Sequence, residues 1–274
     1  MALCKKSRSY WESYVNDVEI SDHQLGSKSF FLDMYQYRYT ADRMGYLLYE
    51  IQALAKEFPG GRVLEIGCGP GTDLRQLSTA GFQTVAVDMT YNGISLAQQH
   101  LNKFGQTAQL VLGNAERLPF DDNSFDCVWS AGVLHHVDDT HVAIDEVHRV
   151  LRPGGRAVVV LYHKWSWLNF FSKVFKVPVE HAEEEAPIIK TYSVGEVRRL
   201  FRRFREVEVY VERPPRPVKK TRTGLKALLF NRVLCPCFNV LPENWGKAIG
   251  WHLVIRGIKV LCLLSSYQEF CLEI

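Results

Sequence analysis

The chain has 274 residues, 47% hydrophobic and 23% charged, a balance that excludes a disordered or fibrous protein and suits one large α/β domain better than two independent ones. A net charge of +3 is too weak a field to name a nucleic-acid partner without a localised patch. Seven scattered cysteines, odd in number, argue for reduced thiols and against a disulfide framework.

The opening Met1 to Tyr10 turns polar at once and lacks the apolar run of a secretory signal, so a cytoplasmic location is expected. Residues 1–60, rich in Tyr, Phe and Trp, read as an N-terminal helical segment packing on a sheet. From 61 to 163 short β-branched runs alternate with helical periodicity, the pattern of a parallel sheet wound by helices. The expected strands are Arg62–Ile66, Thr84–Asp88, Ala108–Gly113, Phe125–Ser130 and Arg156–His163. A helix from Thr140 to Leu151, with Ile144, Val147 and Leu151 on one face, should stop at a turn formed by Arg152-Pro153-Gly154-Gly155.

Residues 164–274 read as the C-terminal half of the same domain, with cap segments at about 164–192 and 214–249. Ser193 and Glu196 form a capping box that opens a helix carrying Val197, Leu200, Phe201 and Phe204. Its basic face, Arg198, Arg199, Arg202, Arg203 and Arg205, reads as solvated. Strands at Glu206–Arg213 and Gly250–Val260 should close the sheet. The apolar stretch from Ile249 to Leu264 is broken by His252, Arg256 and Lys259, so it is not expected to span a membrane. Cys235-Pro236-Cys237 has no second ligand pair at zinc spacing; a turn is expected there, and no metal.

The segment Glu65-Ile66-Gly67-Cys68-Gly69-Pro70-Gly71 follows a buried strand and precedes a helix containing Leu74 and Leu77. Glycines at 67, 69 and 71 allow a tight turn and close approach to a ligand. Asp88, at the end of the second strand, is placed to accept hydrogen bonds from the ribose hydroxyls of an adenosine-type cofactor. A dinucleotide fingerprint would need glycine where Thr72 stands, which weakens a pyrophosphate reading.

Five co-linear motifs over about residues 60–163 carry a resemblance: Val63–Gly71; Gly113-Asn114-Ala115-Glu116 with Leu118-Pro119-Phe120; Ser124-Phe125-Asp126; Gly132–Val137; and Arg149–Gly155. Together they resemble the class I S-adenosylmethionine-dependent methyltransferases of small-molecule type, most nearly the ubiquinone/menaquinone and sterol families. The resemblance implies an α/β, Rossmann-like fold: a seven-stranded, mostly parallel sheet with helices on both faces, an antiparallel last strand and helical caps. It implies S-adenosyl-L-methionine as methyl donor. Glu65 and the loop Gly67, Cys68, Gly69 and Gly71 would hold its amino-acid end, Asp88 its ribose, and Met89 would flank the adenine. Asn114, usually Asp in the family, would accept from the adenine amino group, Ala115 would add backbone contacts, and Ser130 and His135 would lie beneath the sulfonium.

A sulfonium methyl is already electrophilic, so positioning dominates and a base is optional. His136 and His163, at the C-terminal ends of strands, are the preferred pair for removing a proton from the acceptor. The acceptor is expected to be a small molecule and not a nucleic acid, because Ala131 to His136 replaces the Asn-Pro-Pro-Tyr-type motif of amino-base enzymes. Trp165, Trp167, Leu168, Phe170, Phe171 and Phe175, and Leu225, Leu228, Leu229 and Val233, read as a cap packed on the core. The sharper reading is a lid over an apolar acceptor that rests on an anionic membrane through Lys219, Lys220, Arg222 and Lys226. From other classes, a catalytically silent cofactor-binding subunit and a nicotinamide-dependent oxidoreductase remain open. Turnover would separate the first, and titration with both cofactors the second.

Overall fold

The computed structural model describes residues 2–15, 18–40, 44–175, 186–212, 232–233, 235–240 and 248–260. Seven strands, β1 (Arg62–Ile66), β2 (Gln83–Asp88), β3 (Gln109–Leu112), β4 (Phe125–Ala131), β5 (Leu151–Tyr162), β6 (Arg205–Glu212) and β7 (His252–Ile258), lie in the order β3-β2-β1-β4-β5-β7-β6. Neighbours from β3 through β5 are parallel, and β7 runs antiparallel to both β5 and β6. The expected mixed, mostly parallel architecture is the one found.

Around the sheet stand α1 (Ala2–Ser13), α2 (Lys28–Tyr39), α3 (Gly45–Glu57), α4 (Thr72–Thr79), α5 (Tyr91–Lys103), α6 (Thr140–Val150), α7 (Trp167–Phe175), α8 (Val194–Leu200) and α9 (Cys235–Asn239). Successive strand residues face opposite ways, so the central strands feed two cores. Leu64, Val128, Val159 and Ile255 pack with Ile144 and Val147 of α6 and with Val197 and Phe201 of the α8 segment. Val63, Trp129, Val158 and Val254 meet Leu47, Ile51 and Leu54 of α3 on the other face. Helices on both faces explain why these strands read as unbroken apolar runs.

Most strand boundaries moved by one or two residues, but β5 differs for a stated reason. Arg152 to Gly155 was expected to separate helix from strand; instead it lies inside β5. Leu151 pairs with Phe125 and Arg156 with Cys127, so four residues loop out opposite Asp126. Gly154 takes φ 82°, and a Cβ on Gly155 would stand 2.8 Å from the carbonyl oxygens of Arg152 and Asp126. The glycines therefore permit a bulge instead of ending the element. Ser193 and Glu196 form the expected capping box at α8. Cys235-Pro236-Cys237 opens the short helix α9 instead of a turn, since Pro fits a first helical turn.

The apolar stretch after Ile249 supplies strand β7, and no helix among the described residues is long and apolar enough to cross a membrane. The expected helix around Leu225, Leu228 and Leu229, with Lys219, Lys220, Arg222 and Lys226, lies outside the described residues. From β1 the chain winds outward to β2 and β3, then returns to β4 on β1's other side. This reversal opens a crevice beyond the C-terminal ends of β1, β2 and β4, where ligands bind in open α/β sheets.

Candidate functional site

The glycine loop sits in that crevice, with Gly67, Gly69 and Gly71 at φ 76°, 47° and 77°. A Cβ on Gly67 would lie 2.4 Å from Val133 Cγ2, and one on Gly71 3.0 Å from Ala97 Cα, so these two let the loop pass close to its neighbours. A Cβ on Gly69 would meet nothing within 4 Å. That space belongs to the cavity.

Asp88, at the end of β2, faces the loop. Its Oδ2 accepts from the Gly69 amide at 2.9 Å, and its Oδ1 accepts from the Thr90 amide at 2.9 Å and the Thr90 hydroxyl at 2.7 Å. A carboxylate has about four lone-pair sites, so these three donors fix its orientation and leave room for one further donor.

Glu65, buried at the end of β1, lines the same cavity, and its Oε2 is shielded from solvent with no hydrogen-bond partner among the described residues. Burial pushes its carboxyl well above the usual range, and the negative charges of Asp73 and Asp88 push the same way against the opposing pull of Arg38. A buried acceptor without a donor is costly, and a cationic ligand would remove the cost.

Asp73, in the first turn of α4, is held by partners no spacing argument foresaw. Arg38 grips both its oxygens at 2.5 Å, Trp129 Nε1 donates to it at 2.9 Å, and the Tyr39 hydroxyl also donates. Burial alone would raise its pKa, but the charge and hydrogen bonds of Arg38 and the donors Tyr39 and Trp129 carry it below the usual value. Asp73 and Arg38 both line the cavity.

Of the residues singled out in sequence, Glu65, Gly67, Cys68, Gly69, Asp88, Met89, Asn114, Ala115 and His136 line this one cavity. Gly71 caps α4 in the left-handed conformation beside it. Burial drives the Cys68 thiol well up, and Asp88 adds to the effect, so this sulfur stays protonated. Asn114 Oδ1 accepts from the Glu116 amide at 2.9 Å, and an amide oxygen has a second lone pair for another donor.

Three others stand elsewhere. Ser130 donates to the Ile66 carbonyl at 3.2 Å, His135 stacks against Tyr162 at 3.8 Å, and His163 Nδ1 donates to the Gly250 carbonyl at 2.8 Å; none of them lines the cavity. All three side chains are buried behind its wall. His136 and His163 are thus not brought together on the cavity.

The remaining walls come from the N-terminal helices. Ser7, Trp11 and Tyr14 of the α1 segment and Met34, Tyr37 and Arg38 of α2 face the glycine loop across the cavity. Sequence reasoning put the caps after residue 163, yet no described residue of 164–192 or 232–249 lines the cavity. A carbonyl does reach it indirectly: Ile188 accepts from His136 Nδ1 at 2.6 Å. The aromatic richness of residues 1–60 was visible, but composition does not say which way a helix faces.

Residues 64–159 match a family model described as a methyltransferase domain. Residues 64–159 are thus similar to a methyltransferase domain. S-adenosylmethionine is the methyl donor of such domains, and the buried Glu65, whose Oε2 has no partner among the described residues, the open face at Gly69 and the oriented Asp88 fit it here. Over 110 residues the chain is 37% identical to the ubiquinone/menaquinone biosynthesis C-methyltransferase UbiE of Hahella chejuensis, covering 38% of this chain and 44% of that one. It is 30% identical over 146 residues to the demethylmenaquinone methyltransferase of Beutenbergia cavernae, covering 51% and 59%. The match to these two curated relatives spans about half their length. Among solved structures, the Haemonchus contortus phosphoethanolamine N-methyltransferase 2, in complex with phosphomonomethylethanolamine and S-adenosylhomocysteine, superposes with TM-score 0.58 at 17% identity. It covers 90% of this chain and 61% of that one, a likeness of fold.

Proposed function

We propose that this protein transfers a methyl group from S-adenosylmethionine to a small-molecule acceptor with an apolar body. The observation that carries the reading is the pairing of Glu65 and Asp88 across the glycine loop: one carboxyl buried with an oxygen, Oε2, that meets no donor among the described residues, the other oriented by three donors. Bound S-adenosylmethionine supplies an electrophilic sulfonium methyl. Glu65 receives its ammonium, Asp88 a ribose hydroxyl, and Asn114 its adenine amino group. Trp11, Tyr14, Val15 and Met34 give the cavity an apolar, aromatic wall that excludes water and suits a flat acceptor.

His136, which lines the cavity, is the residue we assign to take a proton from the acceptor. Its Nδ1 must donate to the Ile188 carbonyl, which leaves Nε2 as the basic nitrogen of the neutral ring. His163 supports the site only from behind, through Gly250. Relatives named for quinone methylation agree with a small neutral acceptor. The test is incubation with methyl-labelled cofactor and fractionated cell extract, followed by mass spectrometry of whatever gains a methyl group. Tight binding of the cofactor with no labelled product in any fraction would favour a catalytically silent subunit.

Contact with an anionic membrane extends this reading. Trp165, Phe170 and Val174 stand 68%, 62% and 57% exposed around α7, beside Lys164 and Lys173. Cosedimentation with anionic but not neutral liposomes at low salt is expected, and its absence would remove the membrane from the proposal.

A further inference from the structure

Among the contacts of helix α1, one carboxylate reaches the first amides of α5 beside the cavity. Glu12 Oε2 accepts from the Tyr91 amide at 3.0 Å, and Oε1 accepts from the Asn92 amide at 2.9 Å. The Asn92 side chain returns a bond to the Glu12 carbonyl at 2.7 Å, and Arg8 lies over the Tyr91 ring. Tyr91 and Asn92 open α5, so Glu12 satisfies amides that have no partner within their own helix. Its charge also meets the positive end of the helix dipole.

The next residue back faces the other way. Trp11 lines the cavity and sets its edge on the His136 ring, with centroids 4.8 Å apart. Ser7 and Tyr14 line it from the same segment, and the buried Ser7 hydroxyl has no partner among the described residues. The pin reaches the cavity by a second route as well. Tyr91 follows directly on Asp88-Met89-Thr90, the turn that carries the ribose acceptor.

We infer that Glu12 is a positioning residue: it pins α1 on the N-terminus of α5, seats Trp11 against His136, and by its release lets the cofactor exchange. The inference rests on the cofactor reading proposed above. Because the pin lies at the surface, water can replace Glu12 on the α5 amides once the carboxylate is gone. Glu12→Ala should therefore free α1 without unfolding α5 or the sheet.

Two measurements decide it. Hydrogen exchange over residues 6–15, followed by mass spectrometry without any cofactor, should be faster in Glu12→Ala than in the parent while exchange in β1, β4 and β5 is unchanged. Stopped-flow release of S-adenosylhomocysteine, read by tryptophan fluorescence, should be about tenfold faster or more, given two lost hydrogen bonds to a charged group. Glu12→Gln, which keeps one good acceptor, should fall between. Equal exchange over 6–15 overturns the pin whether or not cofactor binds, and equal release rates overturn its role in exchange. Failure of the parent to bind S-adenosylhomocysteine would instead sink the cofactor reading and leave the exchange comparison to decide the pin.

Discussion

His100 of α5 donates from Nδ1 to the carbonyl of Pro70, at 2.9 Å, and so ties the middle of the glycine loop to the neighbouring helix. The imidazole is fully buried and stacked on Phe31 at 4.1 Å, almost parallel.

Burial drives the His100 pKa down to about 4, with Arg75 adding to the effect and the Pro70 carbonyl opposing it. Above pH 6.5 the ring is neutral in the folded and unfolded chains alike. Between about 6.5 and 4 the unfolded chain takes up a proton that the folded one refuses, so stability falls with pH and levels off below 4. The shift is worth up to about 3 kcal/mol. His148, lowered to about 4 chiefly by burial, and His252, lowered well below its ordinary value by burial, act in the same direction. Thermal unfolding midpoints should drop steadily from pH 7 to 4.5, and His100→Asn should flatten that slope. An unchanged slope in the variant would assign the effect to the other two histidines.

Gly69→Val should place a side chain in the open space above the loop, and Asp88→Ala should remove the oriented carboxylate. Valine at φ 47° also carries local strain of about 1–2 kcal/mol, which a cooperative fold of this size tolerates. Calorimetric titration with S-adenosylhomocysteine should show affinity reduced by about tenfold or more in each, from a lost charged hydrogen bond or a filled cavity. Parent-like titration of both variants would refute the site.

Arg38→Met leaves Asp73 buried with its charge uncompensated, a change that costs about 3–5 kcal/mol where a buried pair is broken. Restoring neutrality with Asp73→Asn in the same chain should recover much of the loss. Urea unfolding of both singles and the double variant measures the coupling. Additive effects would mean that Tyr39 and Trp129, not Arg38, satisfy the carboxylate.

His136→Gln should lower kcat by about a hundredfold or more if the ring removes the acceptor's proton, while cofactor affinity stays near that of the parent. His163→Gln should instead act through stability, because its ring is committed to Gly250 behind the cavity. Steady-state kinetics on the acceptor found in extract, with thermal midpoints alongside, separates the two. Parent-like kcat in His136→Gln would leave positioning as the whole of catalysis.

Local physics made much of this legible in the sequence. Strands buried on both faces declare themselves as apolar runs, and the glycines at 67, 69 and 71 are dictated by one backbone turn, so both can be read from short windows. The partnership of Arg38 with Asp73 cannot, because it joins residues 35 positions apart through a fold that must already exist. One clue was present: Asp73 sits beside Leu74 and four residues before Leu77, in a helix turned toward the core. An acid in that place needs a partner. That α1 and α2 supply cavity walls was hidden for a related reason, since which aromatic helix covers a crevice depends on contacts such as Glu12 to Asn92 that no periodicity encodes. The looped-out Arg152 to Gly155 looked like a terminator because Pro and Gly signal a break without saying whether the strand resumes.

The placement of β7 between β5 and β6 bears on how the chain is made. As residues leave the ribosome in order, β6 emerges with no neighbour to pair with, because the strand that joins it to β5 comes last of the seven. Until residues 252–258 appear, β5 and β6 each hold an open edge, the state in which nascent sheets attract chaperones or one another. A stop codon between Glu212 and His252 would therefore do more than shorten the protein. It would strand β6 outright and leave β5 exposed, even though every residue around the glycine loop had already been synthesised.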